Sequence, residues 1–286
     1  MRKLWHRDGP RPLKARIRLE GSTGEILTDL SRPIAIALDL DFSADQPRHF
    51  GAPAATSHAF AVPGFSGSVA TGASCNCNVI TLIPHCNGTH TESVGHLTTE
   101  RLDAHRQAPL GLIPAVLATV EPVDAWDTTE TTEPAPQPGD KLVTRRALEQ
   151  GWPATLPFQP KAVVIRTLPN DSGKMRRDYT DSSAPYLSRE AAEFLVSQGI
   201  EHLVIDLPSI DRSHDEGRLT AHRVFFGLPR GATSLDLATR SRSTVTELAY
   251  IPTEVADGWY LLEIQVPAIG GDAVPSRPLL YLFEQL

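Results

Sequence analysis

His85, Cys86, His90, Glu92 and His96 fall inside one short segment, PHCNGTHTESVGHL, residues 84–97, separated by glycine, threonine and serine. Thiolates, imidazoles and carboxylates bind divalent ions or move protons, and small residues between them let the backbone turn these groups toward one point. His90 and Glu92 are two apart, so on an extended segment both side chains point to the same side. Cys86 precedes His90 by four residues, across Asn87-Gly88-Thr89, where the glycine permits a bend that brings the sulfur back toward the imidazole. Thiolate, imidazole and carboxylate make a donor set for a zinc-like ion, and His96 can lie beside such an ion as general base for an activated water. The competing reading takes the same residues as polar loop groups satisfying the backbone at a strand end, and spacing alone leaves both open.

The elements that must carry these groups lie on either side. Residues 34–42 alternate apolar and polar, the period of a strand with one buried face. A loop rich in Pro, Gly, Ala and Ser follows from Ala44 to Ser74. Phe42, Phe50 and Phe65 belong to this region and are candidates either to wall a substrate pocket or to anchor the loop on the core. NVITLIPH is a short β-branched run, so the histidine-rich segment begins where a strand stops. Residues 121–140 are rich in Thr, Glu and Pro and read as an exposed connection. KAVVIRTL reads as a fully buried strand. SREAAEFLVSQG reads as a helix capped by Ser188, with Ala191, Phe194 and Leu195 inward and Gly199 closing it. IEHLVIDLPSID is then a second buried strand, ending in a turn that carries Asp206, Ser209 and Asp211. Strand, helix, strand predicts a parallel pair and an α/β layer. The C-terminal stretch predicts two strands around a Gly-Gly turn.

The chain has 286 residues, 41% hydrophobic and 21% charged, enough for one large core. It reads as an N-terminal arm over residues 1–22, mobile or docked on a partner, and a single domain over 23–286. A formal net charge of -7 offers no basic stripe for a phosphate backbone, which excludes nucleic acid as partner. No apolar run is long enough to span a membrane or serve as a signal peptide, and three clustered cysteines suit a reducing compartment, so the expected location is cytoplasmic. Cys75 and Cys77 share a strand face and are expected as small core residues rather than extra thiol ligands.

HCNGTHTESVGH resembles the signature of the cyclase family of metal-dependent hydrolases, which includes kynurenine formamidase and isatin hydrolase, with the pattern His-x-Gly-Thr-His-x-Asp-x-Pro-x-His. IDLPSIDRSHDEGRLTAHR resembles the family's Asp-x-x-Ser-x-Asp turn and the helix start after it. STVTELAYIP resembles the segment bringing the last carboxylate, and TDLSRPI the family's opening Asp-Leu-Ser. The four matches run in family order across roughly residues 29–250.

The resemblance implies an α/β fold of the kynurenine-formamidase type, a mixed β core flanked by helices in a swivelling β/β/α arrangement, usually a homodimer. It implies that Cys86, His90 and Glu92 face one divalent metal, that His222 and Glu247 complete the site, and that Glu92 bridges when two ions bind. The Gly-Thr-His register selects Cys86; a one-residue slip would select His85 instead. His214 is a competitor for the place of His222, with an exposed loop position the expected one. His96 falls on the family's catalytic histidine, Glu247 is a second group able to pass a proton, and Asp206, Ser209 and Asp211 support the ligands from the turn behind them. Zinc is the expected ion and manganese the second, as one or two ions. The implied activity is hydrolysis of a non-peptide C–N bond, as in arylformamidases, or more broadly of an amide, formamide, cyclic amide or lactone in a small molecule. Three positions depart from the pattern: Cys86 for His, Glu92 for Asp and Val94 for Pro. They motivate the alternative of a catalytically silent relative whose structural zinc supports binding of a metabolite or partner.

Overall fold

The computed structural model describes residues 12–19, 25–155, 158–180 and 183–285. Its centre is a nine-stranded mixed sheet in the order Ala273–Pro275, His90–Glu92, Thr244–Glu247, His202–Ile205, Ala162–Thr167, Ile113–Val120, Gly258–Gln265, Arg277–Tyr281, Ile34–Ala35. The four middle strands, from Thr244–Glu247 to Ile113–Val120, run parallel, and the outer pairings are antiparallel. All six residues of Ala162–Thr167 are buried, as expected of a central parallel strand covered on both faces. Val163, Ile165 and Leu203 pack on one side with Phe194, Leu195 and Phe225 from the helices Arg189–Ser197 and Thr220–Phe226. Val164 and Val204 pack on the other with Leu117 and Tyr260. The α/β reading and the parallel strand-helix-strand unit therefore hold. Ser188 caps its helix, its hydroxyl accepting from the Ala191 amide at 2.9 Å, and Gly199 follows the helix at φ +73°.

Several sequence expectations are corrected. Only Ile34–Ala35 of the alternating stretch 34–42 is strand. Beyond it the Leu38 amide donates to Thr89 Oγ1 and the Asp41 carboxylate accepts from the Ser43 amide, so side-chain bonds replace the ladder. The Asn78–Thr81 strand forms, but it pairs with Thr56–Ala59 in a two-stranded ribbon outside the main sheet, with all four of its residues exposed. The C-terminal stretch supplies three strands of the main sheet rather than two, Gly258–Gln265, Ala273–Pro275 and Arg277–Tyr281. Cys75 and Cys77 are exposed, contrary to the core role expected for them, because they sit beside that outer ribbon. Of the arm expected over 1–22, residues 1–11 and 20–22 lie outside the described residues, while Lys14–Arg18 forms a strand antiparallel to Glu25–Asp29. The stretch 121–140 is largely exposed or half-buried, with Val123–Asp124 paired to Lys141–Val143. No helix among the described residues is long and apolar enough to cross a membrane.

One buried histidine of this scaffold predicts a pH dependence. His202 is 6% exposed and its Nδ1 lies 2.9 Å from Thr244 Oγ1. Burial pushes its pKa down from 6.5 to about 4, so between those values the unfolded chain takes up a proton that the folded chain refuses. Stability is therefore full above pH 6.5 and falls as the pH drops toward 4, by about 3 kcal/mol from this group. Urea unfolding at pH 7 and pH 4.5 should show a smaller difference for His202→Gln than for the wild type. An unchanged difference removes His202 from the acid response.

Candidate metal centre

The site stands on the pairing of two short strands. His90–Glu92 runs antiparallel to Thr244–Glu247 with Glu247 opposite His90 and Thr246 opposite Thr91. Side chains two apart share a face and direct cross-strand partners do too, so His90, Glu92 and Glu247 emerge together. On the alternate face the Thr91 and Thr246 hydroxyls are 2.7 Å apart and fix the register. All three site residues are at most 3% exposed.

His222 enters from the buried side of the Thr220–Phe226 helix. Asp211 receives the amides of Ala221 and His222 at 2.7 and 3.0 Å, so its carboxylate serves as the cap of this helix. The same carboxylate receives His222 Nδ1 at 2.7 Å. His96 ends a 3-10 turn whose Gly95 passes so close to Leu102 that an added Cβ would lie 2.7 Å from its carbonyl oxygen. His85 sits on a turn in which the amides of Cys86 and Asn87 both donate to the Ile83 carbonyl.

Three imidazoles repeat one arrangement. His222 Nδ1 is tied to Asp211, His90 Nδ1 to the Gly88 carbonyl at 3.1 Å, and His85 Nε2 to Asp272 at 2.8 Å. In each case the bond to an oxygen acceptor keeps the N–H on the outer nitrogen, so the inner nitrogen is the one that can bind an ion once its own proton leaves. The inner nitrogens meet the carboxylates: His222 Nε2 is 2.7 Å from Glu92 Oε1, His90 Nε2 is 3.3 Å from Glu247 Oε2, and His85 Nδ1 is 3.0 Å from Glu92 Oε2. His222 Nε2, His90 Nε2 and Glu92 Oε1 are buried and make no aligned hydrogen bond despite this closeness. Three imidazoles and two carboxylates converging at one buried place form a nitrogen and oxygen donor set that suits a divalent ion. Among the described residues, ligand atoms within mutual reach form two groups, His85 with Glu92 and His96, and His90 with Glu92 and Glu247, sharing Glu92.

The electrostatics carry the same demand. Burial opposes charge on His222, but the Glu92 charge and the hydrogen bond to Asp211 outweigh it and hold the imidazole well above its usual pKa. Burial likewise opposes charge on Glu92, and His222 and His96 hold that carboxyl well below its usual range. His85 is pushed up to about 10, burial being outweighed by its bonds to Asp272 and Glu92. Protons occupy the positive positions that a divalent ion would take, and uptake of the ion must release them.

Among the residues expected from sequence, His90, Glu92 and Glu247 fall in one group, His222, in neither, meets Glu92 at 2.7 Å and Glu247 at 3.5 Å, and His96 stands at the rim, its side chain 31% exposed. Cys86 belongs to neither group, and His85 is in one of them. Residues 84–89 form turns rather than an extended strand, so the alternation that set Cys86 against His85 does not operate. The Cys86 thiol is buried beside the site, and burial followed by the Glu247 charge raises its pKa, away from the thiolate. Asp211 touches His222, and Ser209 Oγ accepts from the Asp211 amide at 3.2 Å. Asp206 does not reach the ligands: it is occupied by the Thr167 amide and hydroxyl and by Lys174 Nζ at 2.8 Å. His214 lies in neither group.

Asp272 is not among the residues that the sequence patterns single out. It bonds His85 and lies 3.4 Å from His96 Nδ1, and hydrogen bonds from those two rings hold its carboxyl far below the usual range. It arrives because Ala273 pairs with Glu92. Nothing local in GGDAVPS marks a pairing across 180 residues.

A cavity of about 800 Å³ opens on the cluster, lined by Phe50, Ile83, Pro208 and Leu219 along with His49 and His214. Phe42 and Phe65 do not line it; each is 37% exposed, and Phe65 lies on the outer hairpin, 6.3 Å from Phe60. Apolar walls around convergent polar groups describe a small-molecule site.

A family model described as "Putative cyclase" matches residues 28–212. A predicted metal-dependent hydrolase from Bacillus stearothermophilus superposes with 87% of this chain and 98% of its own, at 16% identity and a TM-score of 0.55. An isatin hydrolase bound to the product analogue thioisatinate covers 88% and 93%, at 16% identity and a TM-score of 0.54. Isatin hydrolase A from Labrenzia aggregata, bound to benzyl benzoate, covers 88% and 94%, at 13% identity and a TM-score of 0.54. No curated protein matches the sequence. The chain shares the fold of these structures.

Proposed function

The chain belongs to the cyclase family, and from that premise we propose that it is a metal-dependent hydrolase of a small amide, formamide, cyclic amide or lactone. One observation carries the reading: three imidazoles, each tied outward at one nitrogen, turn the other onto two buried carboxylates. His85, His90, Glu92 and Glu247, with His222 beside Glu92 and Glu247, would hold one or two divalent ions, zinc first and manganese second, with Glu92 shared. His85 replaces Cys86 in this set. Protein names among the structural neighbours, metal-dependent hydrolase and isatin hydrolase, support the class of reaction.

When bound, such an ion polarises the substrate carbonyl and acidifies water. His96 accepts the proton at Nε2, because its Nδ1 faces Asp272, whose charge stabilises the imidazolium. The same imidazole returns the proton to the leaving nitrogen or oxygen. Glu247 is held by the Ile210 amide at 2.8 Å, so its carboxylate stays oriented toward His90 while a proton passes. The apolar walls exclude competing water from the reacting carbonyl. The reading also takes the chain as a cytoplasmic homodimer, in keeping with three free cysteines, and sedimentation as a monomer at micromolar concentration would count against the dimer.

The test is hydrolysis of aryl formamides, cyclic imides and aryl lactones before chelation, after chelation, and after zinc or manganese is restored. Turnover lost and regained with the metal supports the reading. Stoichiometric metal with no turnover of any class favours the silent, metal-holding relative. Asp211→Ala should weaken metal affinity about 10- to 100-fold, the range found when a partner behind a metal-binding histidine is lost. Unchanged affinity in a competition titration would remove Asp211 from that role.

A further inference from the structure

We propose that a pocket lined by four arginines, behind the helix that carries His222, binds a small phosphate monoester. The pocket is separate from the metal-centre cavity, with which it shares no lining residue.

The pocket holds about 300 Å³, and Arg189, Arg218, Arg223 and Arg230 line it against one carboxylate residue, Glu133. Four positive charges against one negative leave a local excess of three, in a chain whose formal net charge is -7. The chain's own carboxylates do little to offset that excess. Glu133 pairs with Arg230 at 3.2 Å with both side chains exposed, while Arg218 and Arg189 stand 3.8 and 3.9 Å from Glu216 and Glu193, and such exposed contacts contribute little. Arg223 has no ion pair among the described residues and is fixed by backbone instead. Its Nε donates to the Arg218 carbonyl at 3.1 Å, and its Nη1 donates to the Pro229 and Ala232 carbonyls at 3.0 and 2.8 Å. Those bonds tie two walls of the pocket to one guanidinium, and its Nη2 makes no hydrogen bond among the described residues. A guanidinium held by neutral carbonyls keeps its full charge and loses little freedom on meeting an anion. The Thr220 hydroxyl donates to the Glu133 carbonyl at 3.1 Å, which fastens a third wall to the start of the helix.

The lining indicates the ligand chemistry. Guanidinium forks match phosphate oxygens, and a dianionic monoester presents three of them to several forks where a carboxylate presents two. Val224, Leu228 and Pro229 line the same pocket and suit a compact apolar body on the ester oxygen. The negative charge of the whole chain disfavours an extended polyanion, so the ligand is small. The helix Thr220–Phe226 presents His222 to the metal cavity and Thr220 and Arg223 to this pocket, so the two sites share one positioning element.

Isothermal titration of the purified chain with phenyl phosphate at low ionic strength should give one site with a Kd of about 1 mM or below, weakening severalfold in about 200 mM salt. Succinate should bind about tenfold more weakly or worse. Arg230→Gln and Arg189→Gln should each weaken phenyl phosphate about fivefold or more, with the Tm unchanged because these side chains are 64% and 43% exposed. Arg106→Gln removes an exposed arginine outside the pocket and should change the Kd less than about twofold. Wild-type affinity in both pocket variants would put the phosphate at the metal centre or elsewhere and overturn the proposal. An equal loss in Arg106→Gln would reduce the effect to net charge and overturn it too. Succinate bound as tightly as phenyl phosphate, or no binding of phenyl phosphate at millimolar concentration, would do the same.

Discussion

Glu92→Gln is expected to lose stoichiometric zinc and, with it, hydrolysis. The side chain is 1% exposed, and its two oxygens face His222 Nε2 at 2.7 Å and His85 Nδ1 at 3.0 Å. Glutamine keeps the shape but removes the charge and turns an amide donor toward imidazole lone pairs, filling the space with a hydrogen bond in place of an ion. Because Glu92 belongs to both groups of ligand atoms, either ion would lose a donor. Affinity should fall by more than about 100-fold, beyond the effect of losing an outer partner, and kcat/KM should fall at least as far. Competition with a chromogenic chelator gives the affinity, and far-UV circular dichroism checks that the strand pair persists. Retention of wild-type affinity would show that Glu92 serves the fold alone.

His96→Ala should act on the other half of the apparatus. His96 lies at the cavity rim with Nδ1 3.4 Å from Asp272 and its ring 4.3 Å from that of His85. A positioned proton acceptor contributes about 10²- to 10⁴-fold, so under the proposed role kcat should fall by that factor with metal content unchanged. Asp272→Asn should lower kcat less, because it weakens the support of the imidazolium and leaves the base in place. Metal content that falls in step with kcat would instead make His96 a ligand, which its grouping with His85 and Glu92 permits geometrically.

Local sequence rules carried the reading where the chemistry is local. His90 and Glu92 were legible because two residues on one strand share a face, and the Ser188 helix because its cap, inward face and closing glycine all agree. His222 and Glu247 came only from resemblance, since helix and strand reach the site through pairings that short windows do not encode. Cys86 was favoured over His85 on a register that assumes extended chain, and the turn at Ile83 to Asn87 removes that premise. Asp272 is not legible for the same reason: it arrives by an edge-strand pairing. The resemblance gives Asp206 a supporting place behind the ligands, yet Lys174 claims it in the interior.

X-ray absorption at the zinc edge of the reconstituted wild-type protein tests the account most directly. The cluster predicts only nitrogen and oxygen scatterers at about 2.0–2.2 Å, with the multiple-scattering pattern of imidazole and no sulfur at about 2.3 Å. A sulfur scatterer would put Cys86 on the ion in place of His85, and a protein that takes up no zinc would contradict the metal centre itself.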